Sequence, residues 1–551
     1  MTEPPRVGAW RGAVRAALRP SPPAVERELR DFRRAHEQRR RQLPRAIVIG
    51  LLTGLAAVAF SRLLLGGDAW RTHVIALAQA RGGGWLLLPP LIGAVGAAFA
   101  VWSVRRFAPE AAGSGIPHLK AVTHGLRSMH WQRLLPVKFF GGVIGIGAGL
   151  ALGREGPTIQ MGGAIGQMAG GWFTTTPRER RTLIAAGAGA GLAGAFNAPL
   201  AGLVFVLEEI QRDFAPAMFV TTLIAAVTAD VVTRLLNGQL PVYHVDVHPI
   251  PPLQALPVSL VLGAAAGLLG ILFNRSLVAT LDLFGRLPRR PLWLGGALVG
   301  AAIGAVGIVW PQGLGGGREL VEEALSGRVA LPALARAFAL RFVLTMGSYG
   351  CGAPGGIFAP LLVLGSEIGL AVGLLAQRVL PAAFDHPETF AVVGMAAYFT
   401  AIVRAPLTGI VLMVELTGDY SLVLPLLVAS LTAYGLADYL KDEPIYEKLL
   451  ERDLRRAGEE PAPLPGTLLL ELTVEPRASF DGKLVRELAL PAGCVLVTVR
   501  RGVREEVPTA EWRLEAGDQL TAVIGPQAAA AVPLLRRGTS AHGSAAEELP
   551  A

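Results

Sequence analysis

Cysteine and charge are both scarce in this chain of 551 residues: there are two cysteines, and Asp, Glu, Lys and Arg together fill only 17% of positions. Cys351 and Cys494 lie far apart in sequence, so neither a disulfide framework nor a cysteine-rich metal site is expected. A soluble globular chain is charged at about a quarter of its positions. With 52% hydrophobic residues, this one is built for a different solvent. Folding its apolar runs into the core of a large soluble enzyme would take far more polar surface than the sequence offers. It also lacks a nucleophile paired with a base, a metal-ligand cluster and a phosphate-binding glycine loop, so no enzyme chemistry, cofactor or metal is expected.

What the sequence does have is long apolar stretches. Residues 51–65, 86–104, 258–273 and 292–309 are nearly free of charge, and about 20 apolar residues in a helix cross a bilayer. Several runs are short or interrupted by Gly and Pro. The expectation is an all-α polytopic membrane domain over residues 46–450. Residues 1–45 carry twelve arginines against five acidic residues, a net of +7, with no apolar run. A secretory signal has a few positive charges followed at once by a short apolar core; here a long basic arm precedes a full span. Such an arm obeys the positive-inside rule and suits anionic lipid. No nucleic-acid motif runs through its arginines, so nucleic acid is not an expected partner. The polar tail from Lys441 on has no further spanning run. Its richness in Arg and Glu fits a tail on the same side as the arm, so both are expected on the cytoplasmic face of the cell (inner) membrane.

The chain also repeats itself. At a constant offset of 203, Gly153, Pro157, Gly162, Ile165, Gly166 and Gly170 fall on Gly356, Pro360, Gly365, Ile368, Gly369 and Gly373. A second block, Ala198-Pro199-Leu200-Ala201-Gly202 and then Glu208, matches Ala405-Pro406-Leu407-Thr408-Gly409 and then Glu415 at offset 207. Two matched blocks in one order indicate two homologous halves, about 46–237 and 256–440. Repeats in transporters place the substrate between the halves near the midplane.

Each repeated block opens a glycine-rich helix from a Gly/Pro-broken loop. Proline fits a helix's first turn, where its missing N–H is not needed. A helix that starts inside the membrane presents free N–H groups and about half a positive charge. Such an end is costly in hydrocarbon unless it meets an anion or a water cavity. Two such ends, with Gly113-Ser114-Gly115-Ile116-Pro117, read as a shared anion site.

These segments, Gly113–Pro117, Gly153-Arg154-Glu155-Gly156-Pro157 and Gly356-Ile357-Phe358-Ala359-Pro360, together resemble the three signature motifs of the CLC chloride channels and transporters, in the family's order. Phe196–Gly202 is a fourth matching segment, and the similarity runs from about residue 46 to Tyr446. The fold it implies is an inverted-repeat helical bundle with broken helices, assembled as a homodimer with one pore per subunit. The activity it implies is chloride transport by chloride/proton antiport, with a passive chloride channel as the alternative. A fluoride exporter is a further one, although that branch departs from the Ser114 and Pro157 patterns. Carried over residue by residue, the Ser114 hydroxyl, the Ile357 and Phe358 amides and Tyr446 would bind chloride. Hydroxyls and amides replace water around the ion without a fixed cation to trap it. Glu155 would be the gate, since a carboxylate beside an anion site competes with chloride when ionised and swings away when protonated. Glu209 would be the internal proton-transfer acid. Arg154 beside the gate, the lysine Lys138 and Glu208 are the supporting candidates, and Glu415 reads as a structural or interface acid.

Residues 466–525 change character. Leu468–Val474, Cys494–Val499 and Gln519–Ile524 read as strands. Asp481-Gly482, Pro491-Ala492-Gly493 and Glu515–Asp518 read as turns between them. With Leu484–Leu488 as a short helix, this small α+β domain resembles the TrkA-C or RCK-C regulatory module of potassium-conductance regulators. Such modules dimerise and bind small effectors, a nucleotide among them; without a phosphate loop, dimerisation alone stays open. Residues 538–551, rich in Ser, Ala, Gly and Glu, read as a disordered end.

Overall fold

The computed structural model describes residues 22–540 apart from 174, 213–215, 239–252, 287–290, 292, 382–383, 457–467, 503, 526–527 and 529–530. Most of the basic arm's first half and nearly all of the predicted disordered end lie outside the described residues. The chain divides into two compact units, one of residues up to Tyr446 other than 120–128, the other of 120–128 with the residues from Glu447 on.

The first unit is helical throughout. The expected boundary at residue 45 is not a break, because one helix runs through it from Pro22 to Arg81, with Pro44 inside. Among the described residues six helices are long and apolar enough to cross a membrane: Gln42–Arg81, Gly83–Phe107, Met218–Asn237, Leu256–Gly285, Leu331–Gly350 and Phe358–Val379. Others are shorter and enclosed. Every residue of Thr389–Val403 is buried, as its all-round apolar sequence requires. The helix Pro177–Phe196 shows how local sequence sets the ends. Thr176 and Glu179 form a capping box, with the Thr176 hydroxyl accepting from the Glu179 N–H at 3.2 Å and Glu179 Oε2 accepting from the Thr176 N–H at 2.9 Å. Pro177 fills the first turn, and Asn197 ends the helix at φ 55°. This Ala/Gly-rich helix meets Glu155–Trp172 so closely that a side chain on Gly162 or Gly187 would strike the carbonyl of the other. The second half repeats the arrangement in Phe358–Val379 against Thr389–Val403, where a side chain on Gly365 would lie 2.7 Å from the Gly394 carbonyl oxygen.

The two halves meet through backbone. Gly153 donates its N–H to the Gly356 carbonyl at 2.7 Å, and Gly356 returns its own to Gly153 at 2.8 Å. These residues are equivalent in the repeat. Reciprocal antiparallel bonds between equivalent residues fit two halves related by a local twofold axis.

In the second unit a four-stranded sheet is built from β1 (Leu468–Thr473), β2 (Cys494–Arg501), β3 (Arg504–Glu506) and β4 (Gln519–Ile524), in the order β1-β4-β2-β3. Its pairings are antiparallel, with Leu470 opposite Ala522 and Val495 opposite Val523, and a bulge between Leu496 and Thr498. Gly482, Gly493 and Gly517 sit in the expected turns at φ 81°, 90° and 94°, where other residues are strained. The core of Val474, Phe480, Leu496, Leu514, Leu520 and Ile524 also takes Leu535. That residue lies on a helix, Ala531–Thr539, beyond the boundary at 525 drawn from the sequence and running into the stretch read as disordered from 538. Burial pushes the Cys494 thiol above its usual range, and neither cysteine forms a disulfide.

Candidate anion and proton site

Three motif loops converge in the first unit. Gly113 donates to the Ala353 carbonyl at 3.1 Å and accepts from Gly355 at 3.0 Å. A side chain on Gly156 would lie 2.9 Å from both the Gly356 and Ser114 Cα atoms. Only glycine lets these backbones approach so closely. The junction is fully buried, with Ser114, Ile357 and Phe358 all at 0% exposure.

Ile357 is the N-cap of the helix Phe358–Val379, so the amides around it have no partner within that helix. Ser114 Oγ accepts from the Ile116 amide at 3.3 Å, so the hydroxyl caps the short helix Ile116–Thr123 while facing the junction. Lys138, wholly buried, donates Nζ to the Ala111 and Gly113 carbonyls at 3.0 and 2.6 Å. Its amine is thus engaged by the loop ahead of Ser114.

Glu155 begins the helix Glu155–Trp172 and is 3% exposed. Its carboxylate turns back over Gly153 toward the Ala359 amide in the first turn of the opposite helix. An acid from one half thus occupies the helix start of the other, where an anion would be held. Its Oε2 has no hydrogen bond among the described residues. Arg154 acts on it through its charge, while its guanidinium donates to Ser61 Oγ and, at 3.1 Å, to the Ala195 carbonyl. Phe358 packs on Phe196, Phe205 and Phe399, with ring centroids 6.0, 5.7 and 4.7 Å away, which fixes this helix start in place.

Tyr446 is fully buried and starts the helix Ile445–Arg456; its hydroxyl carries no hydrogen bond among the described residues and lies within electrostatic reach of Tyr349, Glu209 and Glu155. Tyr349 was not singled out in the sequence. Its Oη accepts from the Ser114 amide at 3.4 Å and lies 2.7 Å from where a Gly113 side chain would begin. Glu209 is 1% exposed and sits on a π-helical turn, Val206–Gln211, a distortion that functional sites favour.

The structure separates Glu208 from this group. Its carboxylate accepts from the Leu407 and Thr408 amides at 3.1 and 2.8 Å, capping the helix Pro406–Thr417. Glu415 does the reverse, accepting from Leu200 and Ala201 at 3.0 and 2.7 Å at the start of Pro199–Phe205. The two acids are repeat equivalents, and each caps the other half.

A repeat of membrane helices, meeting at buried helix starts with a carboxyl group turned onto one of them, is the architecture of a multi-pass membrane protein. The chain belongs to the voltage gated chloride channel family, whose model matches residues 96–438, and a TrkA-C domain model matches 469–533. An H(+)/Cl(-) exchange transporter, ClcA of Vibrio cholerae, is 41% identical over 429 residues, 76% of this chain and 91% of the relative. The ClcA of Salmonella arizonae is 40% identical over 428 residues, 76% and 89% of the two chains. A slow cyanobacterial Cl-/H+ antiporter of known structure matches with a TM-score of 0.73 and 40% identity, over 76% of this chain and 99% of that one.

Proposed function

We propose that this protein exchanges chloride for protons, with Glu155 as the moving gate. One observation carries the reading: the Glu155 carboxyl group of one half lies at the amide-bearing start of the other half's helix, in the position an anion would take. The exchange activity named for its 40–41% identical relatives supports it. Ser114 Oγ, the Ile357 and Phe358 amides and the Tyr446 hydroxyl hold chloride. When Glu155 takes a proton it loses its hold on the helix start and withdraws, and chloride enters. When it releases the proton it returns and chloride leaves. Glu209 passes protons between the cytoplasm and the gate, an assignment supported by its burial and by the Tyr446 hydroxyl reached from both acids. The Lys138 amine is bound to carbonyls and the Arg154 guanidinium to Ser61 and the Ala195 carbonyl, so neither donates to the chloride. The host is the inner membrane, both chain ends are cytoplasmic, and two copies associate with one pathway each.

Reconstituted protein in a planar bilayer, held under a pH gradient with equal chloride on both sides, is expected to show a reversal potential displaced from zero. A potential that ignores pH would leave a passive chloride channel in place of the exchanger.

The tail unit is assigned a regulatory role: it pairs in the cytoplasm and adjusts rate in response to a small effector, a nucleotide being the first to try. Regulation needs only that the effector bind differently in two transporter states, with a coupling of about 1–3 kcal/mol. A chain ended after Arg456 should keep the coupling and anion preference of the full protein in liposomes and lose any nucleotide response. Changed selectivity in a folded truncated protein would make the tail part of the transport machinery.

A further inference from the structure

One acid in the membrane interior has no part in this scheme. Glu367 lies in the helix Phe358–Val379, is 3% exposed, and neither of its oxygens has a hydrogen bond among the described residues. Its equivalent in the first half, at offset 203, is the fully buried Ala164, so packing of the repeat does not call for an acid there. An intramembrane carboxyl is a functional candidate by default.

The charged and titratable groups that act on Glu367 come from the helices packed around it. The charge of Arg341 acts on it from Leu331–Gly350 and that of the exposed Glu323 from Arg318–Leu325. The buried Tyr398 of Thr389–Val403, whose hydroxyl is also unbonded among the described residues, lies within its field, and Arg71 acts on Arg341 from behind. Among the described residues Arg341 is the cation whose charge acts on Glu367, yet its guanidinium is committed elsewhere. Its Nη1 and Nη2 donate to the Gly313 and Gly315 carbonyls at 2.7 Å each. Gly315 then donates its amide to the Gly149 carbonyl at 3.1 Å, a few residues ahead of Gly153 and the gate. A line of bonded groups thus runs from beside Glu367 to the segment that carries Glu155.

We propose that Glu367 is a second proton-binding carboxyl group, exchanging with solvent through Glu323, and that its charge state sets how Arg341 holds the glycine loop and hence the gate segment. A neutral Glu367 leaves Arg341 on the two carbonyls, which is the arrangement observed. An ionised Glu367, buried and unbonded, draws the guanidinium toward itself and loosens the loop at Gly315. The proton bound here is not transported; it tunes opening. The proposal goes beyond the gate reading and uses it only to remove the gate's own titration.

The test is chloride efflux from liposomes at matched inner and outer pH between 4.5 and 8. Glu155→Gln protein, its gate no longer titratable, is expected to keep a change of about fivefold or more across that range, the low end of couplings between sites. Adding Glu367→Gln should flatten the profile. A flat profile in Glu155→Gln alone, or an undiminished slope in the double variant, overturns the proposal and leaves the gate untouched. The gate assignment fails by a different result, continued proton pumping in Glu155→Gln. An infrared measurement independent of transport guards against a double variant that does not fold. The acid-minus-alkaline difference spectrum of Glu155→Gln protein should contain a carboxyl C=O band that moves in frequency when Tyr398→Phe is added. No such band, or one that stays in place, counts against Glu367.

Discussion

Glu155→Gln protein in liposomes should conduct chloride and carry no protons with it, whatever the size of the chloride gradient. The amide has nearly the shape of the acid and can lie over Gly153 as the carboxyl does. It has no proton to release at any accessible pH and no negative charge to compete at the start of Phe358–Val379. Without that competitor the anion position is open for a larger share of the time, and apparent affinity follows the open fraction. Chloride affinity is therefore expected to rise on the order of tenfold, read by calorimetry on the purified protein. Proton pumping driven by chloride in this variant would remove Glu155 from the gate's role.

Glu209→Gln should divide the activities differently. Its side chain is 1% exposed and sits on the π-helical turn Val206–Gln211, not on the loops that carry Ser114, Gly156 and Gly356. Chloride binding should stay within a factor of about two of the parent, as for a substitution away from the site. Proton flux should fall by roughly a hundredfold or more, the contribution usual for one well-placed proton-transfer group. The discriminating measurement is chloride-driven proton uptake alongside chloride efflux in the same vesicles. Proton uptake at the parent rate would move the entry point to another group. Glu208 is a poor heir, since both of its oxygens are engaged by the Leu407 and Thr408 amides.

The features legible in the sequence were those written locally or twice. Gly153 and Gly356 stand out because each lies four residues before a proline in a repeated block, and the structure pairs them with each other. The strand signals at Leu468, Cys494 and Gln519 are local alternations, and the observed strands begin at those residues. Contacts between distant residues left no such mark. Tyr349 meets Ser114 across 235 positions, and nothing near either residue announces it. Glu208 and Glu415 matched as a pair, but their function as caps depends on a crossing of halves that matching alone does not state. The helix Ala531–Thr539 was missed because its amphipathic sequence follows a turn and is short. Lys138 entered only through the family resemblance; that it serves the loop's carbonyls follows from their position.

The exchanged caps have a bearing on how the chain is made. The Leu200 and Ala201 amides find their acceptor in Glu415, 215 and 214 residues further along. While the first half is being synthesised, that helix start must wait, hydrated or held by other cellular components, until most of the second half has emerged. Glu208 is ready much earlier, and the first amides it can cap are those at Leu407 and Thr408. The first half is thus born with a free acceptor and an open donor pair, and the second arrives with their complements. Insertion into the membrane ends with each half closing the other, so a chain interrupted between the halves should mature only when both pieces are present in the same membrane.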